Sequence, residues 1–198
     1  EEIIHPLLQE DRAIFFEKYI EKSRHIEVQI LGDDKNVVHL GERECSIQRR
    51  HQKIIEESPS TRLSEELRLN ICEDAKRIAQ AIKYTSAGTV EFLLDDKTGE
   101  YWFLEVNTRL QVEHPVTEEV TGIDIVQEQI NIANKKSISF LNNDATDLGY
   151  SFGHSIEVRI YAENPENDFL PETGEIFIYQ PSELDGIRWE SGINSNTK

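Results

Sequence analysis

The 198-residue sequence predicts an α+β fold in which antiparallel β-hairpins are interleaved with helices. Two observations support this prediction. Several segments alternate apolar and polar residues and are joined by short turns rich in Gly, Asp and Asn, as is typical of antiparallel hairpins. Two other segments place apolar residues at helical spacing after a capping residue. A doubly wound parallel sheet is not expected, because its strands would alternate regularly with helices.

The first 60 residues predict mainly strands. Residues 24–32 alternate clearly, with His25, Glu27 and Gln29 on the polar face of the strand. A turn follows, so that residues 37–44 return as the second strand of a hairpin. We also expect a helix end or linker at residues 1–12 and a short strand at residues 14–19. A long ordered loop or irregular strand is expected at residues 46–60.

The remaining residues predict two helices and a second hairpin. Ser64 is a favourable N-cap, and the apolar stripe that follows it consists of Leu67, Ile71, Ala75, Ile78 and Ile82. Residues 90–94 and 101–106 form the second hairpin, and Asp124 caps a helix over residues 125–134. A polar linker is expected at residues 142–149, and two further strands are expected at residues 154–162 and 175–180.

Composition and charge exclude several classes of protein. The chain has 38 acidic and 21 basic residues and a formal net charge of −17, which would repel a nucleic-acid backbone. No apolar run approaches the roughly 18 residues that a membrane helix needs. The only cysteines, Cys45 and Cys72, cannot form a disulfide framework, so we expect a reducing compartment, either the cytoplasm or the mitochondrial matrix of a eukaryote. The chain begins Glu-Glu and contains no Met, so we expect an excerpt of a longer protein.

The second hairpin carries the strongest chemical signal. With a loop centred on Thr98, Asp95 pairs with Tyr101, Leu93 pairs with Phe103, and Glu91 pairs with Glu105. Two carboxylates that face each other across a sheet repel, and a divalent cation would convert this repulsion into a ligand set. A solvated acidic face is the alternative interpretation.

Polar residues continue along the same predicted strand face. Asn107, Arg109 and Gln111 follow Glu105 at a spacing of two, whereas Tyr101 and Phe103 precede it on that side. This arrangement predicts a cleft wall, with oxygen ligands at one end and a guanidinium group for a small oxyanion at the other.

A basic cluster at residues 48–53 stands out in so acidic a chain. It is either an anion pocket or a surface cluster that pairs with nearby acids. His25 could contact a nucleotide or be structural, and it lacks the Cys or His partners of a zinc site. Cys45 lies beside the cluster but is interpreted as structural. The sequence has no recognisable catalytic Ser/His/Asp arrangement and no glycine-rich phosphate-binding loop.

Three longer stretches resemble a known family. Residues 42–53 (ERECSIQRRHQK) and 103–115 (FLEVNTRLQVEHP) are similar to the two signature stretches of biotin carboxylase, the ATP-grasp component of biotin-dependent carboxylases. Residues 154–163 (HSIEVRIYAE) are similar to a third stretch of the family. The sequence of their second half, RIYAE, favours the acyl-CoA carboxylases among the biotin-dependent carboxylases.

The resemblance implies ATP-dependent carboxylation of biotin on a carrier protein. In this family, bicarbonate attacks the γ-phosphate of MgATP to give carboxyphosphate, which yields CO2 and phosphate; phosphate then deprotonates biotin, and the biotin enolate captures CO2. The implied cofactors and substrates are ATP, Mg²⁺ or Mn²⁺, biotin and bicarbonate. The implied partners are a biotin carboxyl carrier protein or domain, a carboxyltransferase component and further copies of the chain, but neither nucleic acid nor membrane. The final acceptor of the carboxyl group is not implied.

The resemblance also assigns residues by position. The metal ligands are Glu91, Glu105 and Asn107. The bicarbonate pocket consists of Lys53, Arg109, Gln111 and Val112. Glu113 corresponds to the base that deprotonates bicarbonate, and Arg159 to the residue that stabilises the biotin enolate. The nucleotide contacts correspond to Glu17, Lys18, Tyr19, Ile20, His25, Gln48, His51 and Leu93, together with Glu91 and Glu105.

The resemblance predicts two domains. Residues 1–148 correspond to the C-terminal portion of an ATP-grasp domain, and residues 149–198 to the start of the biotin carboxylase C-terminal domain. The family's glycine-rich lid and two upstream ATP-binding lysines have no counterpart here, so we expect this stretch alone to be inactive. Two alternatives are a carbamoyl-phosphate-synthetase-like ATP-grasp ligase and a non-catalytic interaction module that retains the fold.

Overall fold

A computed structural model describes residues 18–140 and 153–193. The chain separates into two compact units, residues 1–158 and 159–198. The predicted domain boundary between residues 148 and 149 lies outside the described residues and stays a prediction. None of the helices within the described ranges is long and apolar enough to cross a membrane.

The first unit is built on a six-stranded antiparallel sheet with the strand order β5-β4-β1-β2-β3-β6. Its strands are β1 (Ser23–Gly32), β2 (Val37–Arg49), β3 (Gln52–Ser58), β4 (Ser86–Asp95), β5 (Tyr101–Asn107) and β6 (Ser155–Val158). Its helices are α1 (Glu65–Ala81), α2 (His114–Thr121) and α3 (Ile125–Ala133). The α+β class and both predicted hairpins are confirmed.

The second unit has little regular structure. A two-stranded sheet pairs β7 (Glu163–Asn164) with β8 (Leu170–Pro171), and a single 3₁₀ turn at Pro165–Asn167 lies between them. The strand expected at residues 175–180 is not found, because this segment pairs with no strand of the described residues and the side chains of Phe177 and Ile178 are each 81 % exposed.

Helix α1 covers one face of the sheet and forms the main hydrophobic core. Ser64 caps α1 as predicted, since its hydroxyl accepts a hydrogen bond from the Leu67 amide. Ile71 and Ala75 are fully buried against Ile26 and other apolar residues of β1 and β4. The predicted stripe ends earlier than expected, because Ile82 is already the C-cap and is 56 % exposed. Asp124 caps α3 as predicted.

Residues 46–60 form a third hairpin rather than a loop or an irregular strand. Strand β2 extends to Arg49 and β3 begins at Gln52, so Arg50 and His51 form the two-residue turn. Both turn residues have positive φ angles, 52° and 64°. Such turns usually contain Asn or Gly, so the sequence gives no local signal for this one.

One other prediction needs correction, and one helix, α2, was not predicted. The segments expected at residues 1–12 and 142–149 lie outside the described residues, as does most of the strand expected at residues 14–19, so these stay predictions. The strand predicted at residues 154–162 is shorter, and its apolar side chains are the exposed ones: Ile156 is 60 %, Val158 58 % and Ile160 78 % exposed. A strand with Ile156, Val158 and Ile160 on one face would be expected to bury that face, and in the described part of the chain it does not.

Candidate active site

The polar face of the sheet is buried and holds a cluster of charged side chains. Glu27 on β1 is fully buried, as is Arg43 on β2. Glu91 on β4 is 4 % exposed and Glu113, which precedes α2, is 3 % exposed. Unpaired charges at this depth would be strongly destabilising, so the cluster depends on its internal ion pairs.

Lys53 joins three of these carboxylates. Its Nζ atom lies 2.5 Å from Glu27 Oε2, 2.9 Å from Glu91 Oε1 and 2.7 Å from Glu113 Oε1. Burial by itself would lower the pKa of Lys53, but the surrounding carboxylates raise it well above its usual value. Lys53 is therefore a fixed positive charge at neutral pH.

Arg43 lies beneath this cluster and uses all five of its N–H groups. Nε donates to Glu27 Oε1 at 2.5 Å, and the four Nη hydrogens are donated to Gln29 Oε1 (2.8 Å), Thr117 Oγ1 (3.0 Å), Thr89 Oγ1 (3.2 Å) and Gln111 Oε1 (2.9 Å). These acceptors come from β1, β4, α2 and the segment between β5 and α2. Arg43 thus links four parts of the fold under the site.

Glu91 and Glu105 are direct cross-strand partners, as predicted. Their carboxylates lie on the same side of the sheet, because Asn107 Nδ2 donates a hydrogen bond of 3.0 Å to Oε1 of each. Gln111 Nε2 also donates to Glu91 Oε1, at 2.7 Å. His25 Nε2 lies 2.8 Å from Glu91 Oε2.

The rest of the predicted β4–β5 register is wrong by one residue. Phe103 pairs with Phe92 and Tyr101 with Leu94, and the register shifts between Phe103 and Glu105, so Leu104 is the extra residue of a β-bulge. The Tyr101 and Phe103 rings contact Phe92 edge-on; Phe92 and Tyr101 belong to the core under α1, whereas Phe103 is 53 % exposed. They therefore do not lie on the side of Glu105 and do not line the predicted cleft wall.

Two carboxylates of the cluster, those of Glu91 and Glu113, are ionised at neutral pH. Burial tends to raise the pKa of Glu91, but His25 and Lys53 hold it well below its usual value. Burial likewise opposes ionisation of Glu113, but Lys53 and Arg43 lower its pKa. The carboxylates of Glu27, Glu91 and Glu113 surround Lys53 and Arg43, and Glu105 adds a fourth carboxylate beside Glu91.

The excess negative charge and the donor set fit a hard divalent cation. Glu91 and Glu105 present carboxylate oxygens to one region, and the Asn107 amide lies between them with its Nδ2 group donating to both. Ligand atoms of His25, Glu27 and Glu91 also lie within 4.8 Å of one another. Oxygen ligands dominate both groups, which favours Mg²⁺ or Mn²⁺ over zinc.

The other predicted site residues lie outside this cluster. Arg109 is exposed, and its guanidinium donates to the Leu110 carbonyl at 3.1 Å. Val112 is 60 % exposed. Gln48 Nε2 donates to the Cys45 carbonyl at 2.8 Å, and His51 is exposed in the β2–β3 turn. The predicted convergence of Lys53 and Arg109 on one anion stays a prediction.

The remaining predicted nucleotide contacts are partly described, as is Arg159. Lys18 Nζ lies 4.1 Å from the centre of the Trp102 ring, and Tyr19 is 84 % exposed. Ile20 is half-buried, and Leu93 pairs with His25 between β4 and β1. Glu17 lies outside the described residues. Arg159 is the first residue of the second unit and is half-buried.

Two central residues of the cluster were not among the predicted site residues. Glu27 was placed on the polar face of its strand, and Arg43 was part of a signature stretch, but neither was assigned a role. No local signal indicated their pairing, because a hairpin without a bulge between residues 24–32 and 37–44 would place Glu42 opposite Glu27. The register shift between Val28 and Ile30 brings Arg43 opposite Glu27 instead, and the two form a cross-strand ion pair.

Comparisons with known proteins show the family of the chain. Residues 8–141 match the family described as carbamoyl-phosphate synthase L chain, ATP binding domain, and residues 157–198 match the biotin carboxylase C-terminal domain. "Biotin carboxylase 2" of Bacillus subtilis (strain 168) is 50 % identical over 184 residues, which cover 92 % of this chain and 40 % of the relative.

Solved structures show the same relationship. A biotin carboxylase complex from Campylobacter jejuni is 47 % identical, with a TM-score of 0.84, over 91 % of this chain and 39 % of that chain. The biotin carboxylase domain of 2-oxoglutarate carboxylase from Hydrogenobacter thermophilus is 46 % identical, with a TM-score of 0.84, over 91 % of this chain and 39 % of that chain. That structure is described as a dimer in complex with MgADP, ADP and bicarbonate.

The chain spans about 40 % of the length of the biotin carboxylase relative from Bacillus subtilis. Two successive family matches cover most of the chain, and the second of them is specific to biotin carboxylase. The chain therefore belongs to the biotin carboxylase family of ATP-grasp ligases.

Proposed function

We propose that this chain supplies the metal and bicarbonate sites of a biotin carboxylase that carboxylates biotin on a carrier protein. The observation that carries the proposal is the position of Lys53, which is bonded to Glu27, Glu91 and Glu113 beside the Glu91–Glu105 pair. A carboxylate pair for a divalent ion and a fixed ammonium for a small anion are thereby contiguous, as phosphoryl transfer to bicarbonate requires.

Glu91, Glu105 and Asn107 would hold Mg²⁺ or Mn²⁺. The bound ion would neutralise the negative charge of the ATP phosphates. Glu91 suits this role because His25 and Lys53 keep its pKa low, so that it is ionised at neutral pH despite its burial. Asn107 holds the two carboxylates together through its amide group.

Lys53 and Glu113 would activate bicarbonate. Lys53 provides a permanent positive charge, with Arg109, Gln111 and Val112 completing the pocket. Glu113 is ionised and accepts the bicarbonate proton while the bicarbonate oxygen bonds to the γ-phosphorus and ADP leaves. Carboxyphosphate then breaks down to CO2 and phosphate, and phosphate takes the N1′ proton of biotin.

Arg159 would stabilise the biotin enolate while N1′ bonds to CO2. Its guanidinium carries a permanent charge, which is most effective when the biotin oxygen becomes negative. The adenine nucleotide would be contacted by Glu17, Lys18, Tyr19, Ile20, His25, Gln48, His51 and Leu93.

The partners of such an enzyme are a biotin carboxyl carrier protein or domain and a carboxyltransferase, with homo-oligomerisation in the assembled form. The acidic chain would not bind nucleic acid. The proposed location is the cytoplasm, or the mitochondrial matrix in a eukaryote. The final acceptor is chosen by the carboxyltransferase rather than by these residues.

ATP cleavage by the intact enzyme tests the proposal. ADP release should require both bicarbonate and biotin, and labelled bicarbonate carbon should appear in carboxybiotin. ADP release that depends on ammonia or glutamine and ignores biotin would favour a carbamoyl-phosphate-synthetase-like ligase. Complete absence of nucleotide cleavage in the intact protein would favour a non-catalytic module.

A further inference from the structure

We propose that Arg43 is a positioning residue for the bicarbonate site, acting through Glu27 on Lys53 and through Gln111 on Glu91. The proposal rests on the proposed function, because it assigns Arg43 to that same site. Arg43 itself is fully buried and its donors are directed at protein groups, so it orients residues that touch the reactants rather than touching them.

The first connection runs through the two oxygens of one carboxylate. Arg43 Nε binds Glu27 Oε1 at 2.5 Å, and Lys53 Nζ binds Glu27 Oε2 at 2.5 Å. Glu27 is fully buried, so no bulk water competes for these oxygens. With Oε1 held by a planar guanidinium, the carboxylate plane is fixed, and Oε2 defines where the Lys53 ammonium lies.

The second connection sets the orientation of an amide. The arginine side chain can only donate hydrogen bonds, so Gln111 must direct its Oε1 toward Arg43, at 2.9 Å. The Nε2 group of Gln111 then points the other way and donates to Glu91 Oε1 at 2.7 Å. If the amide were reversed, its carbonyl oxygen would face the Glu91 carboxylate, and the two acceptors would repel.

The remaining bonds show why lysine could not replace arginine here. Nη1 also binds Gln29 and Thr117, and Nη2 also binds Thr89. A lysine would preserve the charge opposite Glu27, but it has three donors for five acceptors and no planar fork. Arg43→Lys therefore separates charge neutralisation, which it retains, from the fixed geometry, which it loses.

Arg68 provides a matched control. Its Nε atom pairs with Glu42 Oε1 at 2.8 Å, where Glu42 is 1 % exposed, and its other donors bind Glu65 and the Ser60 carbonyl. None of these acceptors belongs to the proposed site. Arg68→Lys thus reproduces the loss of a guanidinium from a buried carboxylate, without the connections to Lys53 and Glu91.

The test compares both variants with the wild type in the intact enzyme. We expect Arg43→Lys to lower kcat/KM for bicarbonate by about 10- to 100-fold, because small misplacements of reacting groups have effects of this size. The KM for biotin should change less than about threefold. Arg68→Lys should leave both quantities within about threefold of the wild-type values, even if its thermal stability falls as much as that of Arg43→Lys. Arg43→Lys kinetics equal to those of Arg68→Lys would overturn the proposal.

Two further measurements decide the cases that kinetics leave open. If Arg43→Lys does not fold, the isosteric double variant Thr89→Val/Thr117→Val removes two of the hydrogen bonds that hold Arg43 without removing Arg43 itself. In that variant, a fall in kcat/KM for bicarbonate of at least about threefold supports the proposal, and an unchanged value overturns it. An inactive wild type would count against the proposed function itself. A crystal structure of Arg43→Lys, or of the double variant, then decides the positioning claim: Lys53 and the Gln111 amide in wild-type positions would refute it, and their displacement would support it.

Discussion

Glu91 and Glu105 face each other across the β4–β5 hairpin, and the Asn107 amide lies 3.0 Å from a carboxylate oxygen of each. The two residues differ in their surroundings. Glu91 is buried and bonded to Lys53, Gln111 and Asn107, whereas Glu105 is exposed. Glu105 can therefore be changed without disturbing the core, which makes it the cleaner probe of the metal site.

Glu105→Gln should raise the Mg²⁺ concentration needed for half-maximal ATP cleavage by at least about tenfold, because a neutral amide is a poorer ligand for a hard cation. The measurement is a Mg²⁺ titration of ADP release. Glu100→Gln is the control, since Glu100 is exposed immediately before the same strand and its variant loses the same charge. Equal Mg²⁺ requirements in the two variants would argue against a metal ligand at residue 105.

Lys53→Met should destabilise the folded protein by about 3–5 kcal/mol, because it leaves Glu27, Glu91 and Glu113 without their shared cation. The free energy of unfolding in urea measures this loss. Lys97→Met, at an exposed position in the β4–β5 turn, should change stability by less than about 0.5 kcal/mol. A similar small change for Lys53→Met would mean that the carboxylates do not depend on Lys53.

Tyr101 gives a pH dependence outside the site. Burial and the 2.7 Å hydrogen bond that its hydroxyl donates to Asp74 raise the pKa of Tyr101 from 10.0 to about 12. The unfolded chain loses this proton near pH 10 and the folded chain keeps it longer, so the contribution to stability is complete below pH 10 and is lost as the pH rises toward 12. Tyr101→Phe lacks this contribution.

The difference in unfolding free energy between the wild type and Tyr101→Phe should therefore shrink as the pH rises from about 9 to about 12. Other alkaline titrations affect both proteins equally and cancel in the difference. A difference that stays constant over this range would show that the hydroxyl of Tyr101 ionises equally easily in the folded and unfolded chains.

The β1–β2 and β4–β5 hairpins were predictable because each one is encoded locally, whereas the β2–β3 hairpin has no local signal. Alternation in β1 and the turn after it placed Glu27 correctly on the polar face. Local patterns do not report bulges, however. The assumed β4–β5 turn was off by one residue, and the bulge at Leu104 cancelled this error at Glu105 but not at Tyr101 or Phe103. The correct pairing of Glu91 with Glu105 thus came together with an incorrect face for the two aromatic residues.

The proposed metal ligands Glu91 and Glu105 could be predicted from the repulsion between their carboxylates. The buried Arg43 network that holds the site could not be predicted. Lys53 stood out as a cation in an acidic chain, and Glu113 was assigned through the resemblance. Arg43 looked like one more strand residue, because a sequence does not show which polar face of a sheet is buried. Helix α2 buries that face and supplies Thr117 to Arg43.

The most direct test of the account is carboxybiotin formation by Glu113→Gln, measured as labelled bicarbonate carbon transferred to biotin. Glu128→Gln is the matched control, since Glu128 is also buried, at 4 % exposure, but bonds to Ser139 and Asn131. If Glu113 is the base beside Lys53, its variant should form carboxybiotin at least about 100-fold more slowly, while Glu128→Gln stays within about threefold of the wild type. Wild-type carboxylation by Glu113→Gln would contradict the assignment of this cluster as the site where bicarbonate is activated.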